Sequence, residues 1–332
     1  MAHVTIVYYS STGTTYEMAR AVEAGAQAAA TFGVAALVDA SGADEYRSFF
    51  ESQGFGGTKG AAALVDAAGD DQYLCDSGDP AEGGHPLYFS PQLPGIGNTS
   101  MSQGAASGRR PSGDPSYMAG GLGVLRDAAG ADRYSASVFA QGAAYWEGTG
   151  LLLDAGAGAD RYDGFWYVQG AAAHVSLALF VDEGGDDRYD QELSPKATSI
   201  GVGHDFSAAL HVDLGGDDLY RAPGLSLGSG NLDGIGLFVN VGGDDTYVAA
   251  GDPTLGAGNY SAELPFGQPR QDAATIGVFV DAAGSDVYTV AGETRALDGT
   301  TWSYEPQPYP EPDVVTTEHG CGADAEGEAA LP

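Results

Sequence analysis

The chain has 332 residues, with 46 Asp and Glu against 13 Lys and Arg and a formal net charge of −33. That charge argues against nucleic acid and anionic membrane surfaces as partners and suits cations, divalent ones among them, a salty solvent, or both. Two cysteines, Cys75 and Cys321, make no disulfide framework, and no apolar run approaches the ~18–20 residues of a membrane span.

In chain order, His3 to Tyr9 is a β-branched and aromatic run that predicts a buried strand. Ser10, Ser11, Thr12, Gly13, Thr14 and Thr15 form a hydroxyl-rich loop, after which Met18, Val22, Ala26 and Ala29 recur at helical spacing. This short strand-loop-helix unit offers hydroxyls and backbone N–H groups at a helix start, which suits a phosphate. The first residues lack a basic region followed by an apolar core, so a cytoplasmic location is the expectation.

The run Ile6-Val7-Tyr8-Tyr9-Ser10-Ser11-Thr12-Gly13-Thr14-Thr15-Tyr16-Glu17-Met18-Ala19 resembles the start of the flavodoxin-like NAD(P)H:quinone oxidoreductases. By that resemblance Ser10, Ser11, Thr12, Gly13, Thr14 and Thr15 are the ligands of an FMN phosphate, and the chain, as a fragment or fusion, is an FMN-dependent oxidoreductase. The resemblance covers about 30 of the 332 residues. The further βα units that hold the flavin ring in that family do not follow, and one βα unit cannot enclose a flavin. The alternative reading of residues 1–32 is an N-terminal cap over the end of a repeat array.

From Gly33 a repeat takes over. Eight copies end in Asp-x-Tyr, at Tyr46, Tyr73, Tyr134, Tyr162, Tyr189, Tyr220, Tyr247 and Tyr288. Seven carry an earlier Asp after an apolar run (Asp39, Asp66, Asp127, Asp154, Asp182, Asp213 and Asp281), and the eighth has Asn240. A Gln-Gly pair or its equivalent precedes the first Asp by 13 residues; the Tyr follows it by seven, and the next Gln comes seven later, a cycle of 27. A fixed short period predicts a mainly β fold, a β-solenoid of about eight coils over residues 33–290. The apolar run alternates small and large residues, as a strand buried on at least one face does. Gly-Gly-Asp-Asp then forces a tight turn.

Insertions depart from the cycle at few places. The long ones, 74–102 and 248–267, are the expected surface for a protein or carbohydrate partner. Residues 291–312 read as a Pro-rich stretch and 313–332 as a disordered acidic tail.

The chemistry sits in the Asp columns. Stacking would bring Asp44, Asp71, Asp132, Asp160, Asp187, Asp218, Asp245 and Asp286 about one strand spacing apart, where like charges repel. Two things could offset this: turn N–H groups donated to each carboxylate, or a hard cation such as calcium bound by those eight residues. The turn resembles the Gly-Gly-x-Gly-x-Asp nonapeptide of calcium-binding RTX β-rolls. It departs in two respects, because the nonapeptides are not in tandem and Tyr replaces the aliphatic residue. The Tyr column reads as a packed ladder, the Gln column as an amide ladder, and His211 as a core residue. None implies catalysis. The sequence therefore reads as a non-enzymatic, structural or adhesive repeat protein stabilised by turn capping or calcium.

Overall fold

The structure is a computed structural model. It describes residues 5–10 (backbone only), 28–75, 90, 97–111, 116–191, 198–259, 273–304 and 318–327. The fold is mainly β, and no helix occurs among the described residues. Three large sheets hold eleven, nine and eight strands. Each complete repeat supplies one strand to each sheet. In one unit these are Ala172–Ala173 in the third sheet, Leu177–Asp182 in the first and Arg188–Gln191 in the second. The next unit repeats them as Gly203–His204, Ala208–Asp213 and Leu219–Ala222.

Neighbouring copies pair in parallel with each repeat position opposite its equivalent. Tyr162 faces Tyr189, and Asp182 faces Asp213. The hydrophobic pattern explains the register. Within the central first-sheet strands, such as Leu177–Asp182, alternate residues are buried, so a slip by one would turn the core outwards.

Two aromatic or aliphatic columns fill the interior. The eight repeat tyrosines stack along its length, with ring centroids 4.5 Å apart at Tyr189–Tyr220 and 5.0 Å at Tyr162–Tyr189. Leu37, Leu64, Leu125, Leu152, Phe180, Phe238 and Phe279 form the second column. His211 completes it, stacked 4.5 Å from Phe180 and 5.2 Å from Phe238. Burial pushes its imidazole down to about 3, so it stays neutral and serves as a flat ring.

The small residue of each strand faces the third sheet. A Cβ on Gly123 would lie 2.0 Å from the Ala105 carbonyl, so the two sheets approach too closely for a larger side chain. The Gln-Gly corner needs two successive left-handed residues, as at Gln141 (φ 55) and Gly142 (φ 74). The glutamines form no amide ladder. Gln53 Nε2 donates to the Tyr46 carbonyl at 2.8 Å, and Gln103 Nε2 to the Tyr73 carbonyl at 2.8 Å. Each amide instead ties its corner to the second sheet, as Gln141 Nε2 does by donating to the Asp163 carbonyl at 2.9 Å.

The ends differ from expectation. The strand Thr5–Ser10 exists and pairs antiparallel with Gly33–Val38 at the edge of the first sheet. Residues 11–27 lie outside the described residues, and with them most of the expected loop and helix. Ala29, expected on that helix, lies in the strand Ala29–Ala30, which pairs with Phe55–Gly56. The first repeat thus reaches back before Gly33. Much of 74–102 and residues 260–267 also lie outside the described residues.

At the other end, part of the segment expected to be disordered is ordered. Glu318–Asp324 is a strand, parallel to Thr275–Asp281 and antiparallel to Thr301–Tyr304. Its composition is poor in large apolar groups, yet Gly320 and Gly322 leave room for Tyr304 and Trp302 to cover it. The sheet edge supplies the hydrogen bonds.

Candidate metal centre: the aspartate columns

Each tight turn holds two aspartates with different partners. The first ends the first-sheet strand. Asp182 Oδ1 accepts the Gly184 N–H at 2.9 Å, closing an Asx-turn, and Oδ2 accepts the Tyr162 hydroxyl at 2.6 Å. Asp127 does the same with Ala129 N–H at 3.0 Å and Tyr73 at 2.6 Å. The tyrosine comes from the preceding repeat, so each turn is pinned by its neighbour.

The second aspartate, two residues before the tyrosine, has one oxygen engaged. Asp71 Oδ1 accepts the Asp44 N–H at 2.6 Å, Asp187 Oδ1 that of Asp160 at 2.6 Å, and Asp218 Oδ1 that of Asp187 at 2.7 Å. This is a ladder in which every carboxylate after Asp44 takes the N–H of the equivalent aspartate one repeat earlier. The other oxygen, Oδ2, is buried without a hydrogen-bond partner at Asp44, Asp71, Asp132, Asp187, Asp218 and Asp286. Asp71 and Asp187 are each 1% exposed.

The two columns meet. Asp71, Asp127 and Asp132 place carboxylate oxygens within 4.8 Å of one another, as do Asp160, Asp182 and Asp187, and Asp187, Asp213 and Asp218. Each of these three clusters joins two second-column aspartates to one first-column aspartate, whereas the first cluster of the array joins Asp44 to two first-column residues, Asp39 and Asp66. Loss of water and the neighbouring carboxylates both raise their proton affinity. Burial, followed by the Asp182 charge, pushes Asp187 up to about 10, and burial with the Asp213 charge pushes Asp218 up to about 11. Asp71 and Asp132, nearer one end, rise to about 7, again chiefly through burial. Such oxygens need a proton or a cation, and an all-oxygen donor set of hard carboxylates fits calcium.

One repeat resolves the need differently. Asn240 stands where its neighbours have Asp, and its Nδ2 donates to Asp245 Oδ2 at 2.8 Å. Asn240 Oδ1 still accepts the turn N–H, from Gly242 at 3.0 Å.

No family model, curated protein or solved structure matches this chain.

All eight aspartates expected as ligands share one column. The first-column aspartates belong to the same clusters, although the repeat alone did not separate capping from ligation. Two further participants were missed. Asp298 Oδ1 extends the ladder by accepting the Asp286 N–H at 3.1 Å. Asp324 accepts the Tyr288 hydroxyl as a ninth first-column residue. A signal for the latter was present, because Asp324-Ala325-Glu326-Gly327 repeats the pattern of Asp281-Ala282-Ala283-Gly284. Of the expected phosphate loop, Ser10 ends the first strand, while Ser11, Thr12, Gly13, Thr14 and Thr15 lie outside the described residues.

Proposed function

We propose that this chain is a non-enzymatic β-solenoid with a structural role, whose buried aspartate columns hold calcium between successive turns. The observation that carries this reading is the row of buried Oδ2 atoms with no donor, in clusters of three carboxylates. A standard repeat contributes two carboxylates to these clusters, one of them with the bare Oδ2, and one divalent cation per repeat balances their charge. A buried, unpartnered carboxylate costs several kcal/mol unless a proton or cation meets it. The likeness of the turn to RTX nonapeptides points the same way. The columns are closed to solvent, so they suit ion storage within the fold better than work on a substrate.

The test is metal analysis of the purified chain before and after exhaustive chelation, with melting followed in millimolar calcium and in sodium chloride of matched ionic strength. Ions that bind only the folded state raise its stability with the logarithm of their concentration. The expected result is several bound calcium ions per chain and a rise in Tm well beyond the salt control. Equal shifts in both solutions would leave only screening and overturn the cation reading.

A further inference from the structure

The first and second sheets present opposite chemistry to the outside. On the second sheet the outward residues are largely polar, with charged pairs such as Arg161 with Asp163 at 3.0 Å and Arg221 with Asp190 at 3.2 Å. On the first sheet nine parallel strands, from Gly33–Val38 to Glu318–Asp324, each turn three side chains outward. Of those 27 positions 24 are apolar, and the three others are Arg126, Thr149 and His319. All 27 keep some exposure, with Val34 at 55%, Leu177 at 51% and Leu122 at 41%. A chain carrying −33 thus keeps a single charge on this whole face. Folding does not require that, because the inward residues already form the core. Contiguous exposed apolar faces of more than a few hundred Å² mark interaction surfaces.

We infer that this face is the dimer interface of the protein and that its occupant is a second copy of the same chain. The area is adequate. Nine strands at ~4.8 Å and five residues at ~3.3 Å make a face of roughly 40 by 16 Å, about 600 Å² per partner. Doubled, that reaches the lower end of the ~1,200–2,000 Å² buried by stable interfaces.

The face also matches itself. Its central outward column runs Ala36, Ala63, Val124, then Leu151, Leu179, Leu210, Leu237, and ends Val278, Cys321, with each residue paired to the next across the sheet. Bulk is greatest at the middle and falls towards both ends. A two-fold axis at Leu179, the fifth of the nine, lays Leu151 over Leu210 and the small ends over each other. Self-matching of one patch is what an isologous two-fold contact requires. The axis lies in the interface parallel to the strands, so strands of the two copies run in the same direction and the acidic turns, all at the C-terminal ends of these strands, lie along one edge of the pair, where added salt screens their repulsion.

Sedimentation velocity and light scattering on the full chain, at moderate salt and tens of micromolar, test this. The expected mass is twice the 33.8 kDa of the chain. Leu179→Asp with Leu210→Asp should give the single-chain mass with an unchanged circular dichroism spectrum, while Thr246→Asp on the second sheet leaves the dimer intact. Should the double variant not fold, Leu179→Cys in a Cys321→Ser background supplies a second readout: residue 179 faces its own copy across the axis, about one sheet-to-sheet spacing of ~10 Å away, and should be joined to it by a short bis-maleimide linker, whereas Thr246→Cys should not. A monomeric native chain, a dimer that survives the double aspartate variant, or flotation of a monomeric native chain with phosphatidylcholine vesicles would overturn the assignment.

Discussion

Asn240 and Asp245 form a hydrogen-bonded pair in the one repeat whose first turn position is not an aspartate. The amide gives Asp245 Oδ2 the hydrogen that Asp187 Oδ2 and Asp218 Oδ2 lack. Asn240→Asp should remove that donor and add a charge. In chelated solution at pH 8 the variant should be less stable by about 1–3 kcal/mol, the usual cost of an unpaired buried polar group. In calcium, metal analysis should count one ion more than in the native chain. Unchanged stability in chelated solution would show that the pair contributes nothing.

The raised aspartates set the pH dependence of the metal-free protein. Their folded pKa values lie above the ordinary 3.8, at about 7 for Asp71 and Asp132 and about 10 for Asp187. The folded state therefore binds more protons than the unfolded one above pH ~4, and stability falls as pH rises. Melting in chelator should drop progressively from pH 4 through pH 7 and continue falling to pH 10. Calcium should flatten the upper part of that curve. A metal-free protein that gains stability from pH 5 to pH 8 would show that these carboxyls ionise freely.

His211 interrupts a column of otherwise apolar side chains with a neutral imidazole whose Nε2 is buried and unpartnered. Phe180 and Phe238 stack on its two faces. His211→Phe would continue the phenyl column and remove the orphaned nitrogen. Denaturant unfolding should show a gain of about 0.5–2 kcal/mol, from restored ring stacking and a polar group no longer buried. A loss of stability would mean that the 3.4 Å contact from Nδ1 to the Gln169 carbonyl outweighs both.

Deletion of residues 313–332 should destabilise the fold. The strand Glu318–Asp324 pairs on both edges, and Asp324 receives the Tyr288 hydroxyl. Without it Tyr288 keeps a buried hydroxyl with no acceptor, and the first sheet loses its last parallel strand. The melting temperature should fall by several degrees. Asp324→Asn alone should reproduce part of that loss. An unchanged melting temperature on truncation would show that this strand is dispensable.

Much of the architecture was legible because spacing reports stacking. The 13–7–7 cycle by itself places Tyr162 beside Tyr189 and Asp160 beside Asp187, where the sheets pair them. The alternation around Leu152 and Phe180 identified the buried face. The strand at 318–324 was not legible by composition, since its order comes from the sheet edge beside Thr275–Asp281 and from Trp302. The division of labour between Asp182 and Asp187 was equally hidden. Both follow apolar or glycine-rich stretches, and only the turn geometry decides which one meets a tyrosine and which keeps a bare oxygen. The glutamines misled for a related reason: a regular column invites a ladder, but Gln53 finds the Tyr46 carbonyl first.

The uninterrupted register gives the protein a quantised length. Leu214 to Asn240 spans 27 residues, and excising it joins Asp213 directly to Val241-Gly242-Gly243-Asp244-Asp245, which reads as an intact turn. Every column would close up by one step of ~4.8 Å with its contacts replaced by their equivalents, except that Asp213 would stand where Asn240 donates to Asp245. Genes of this kind can lengthen or shorten by whole units without passing through a misfolded intermediate. Height along the stack is therefore a trait that recombination can tune, much as links are added to or taken from a chain.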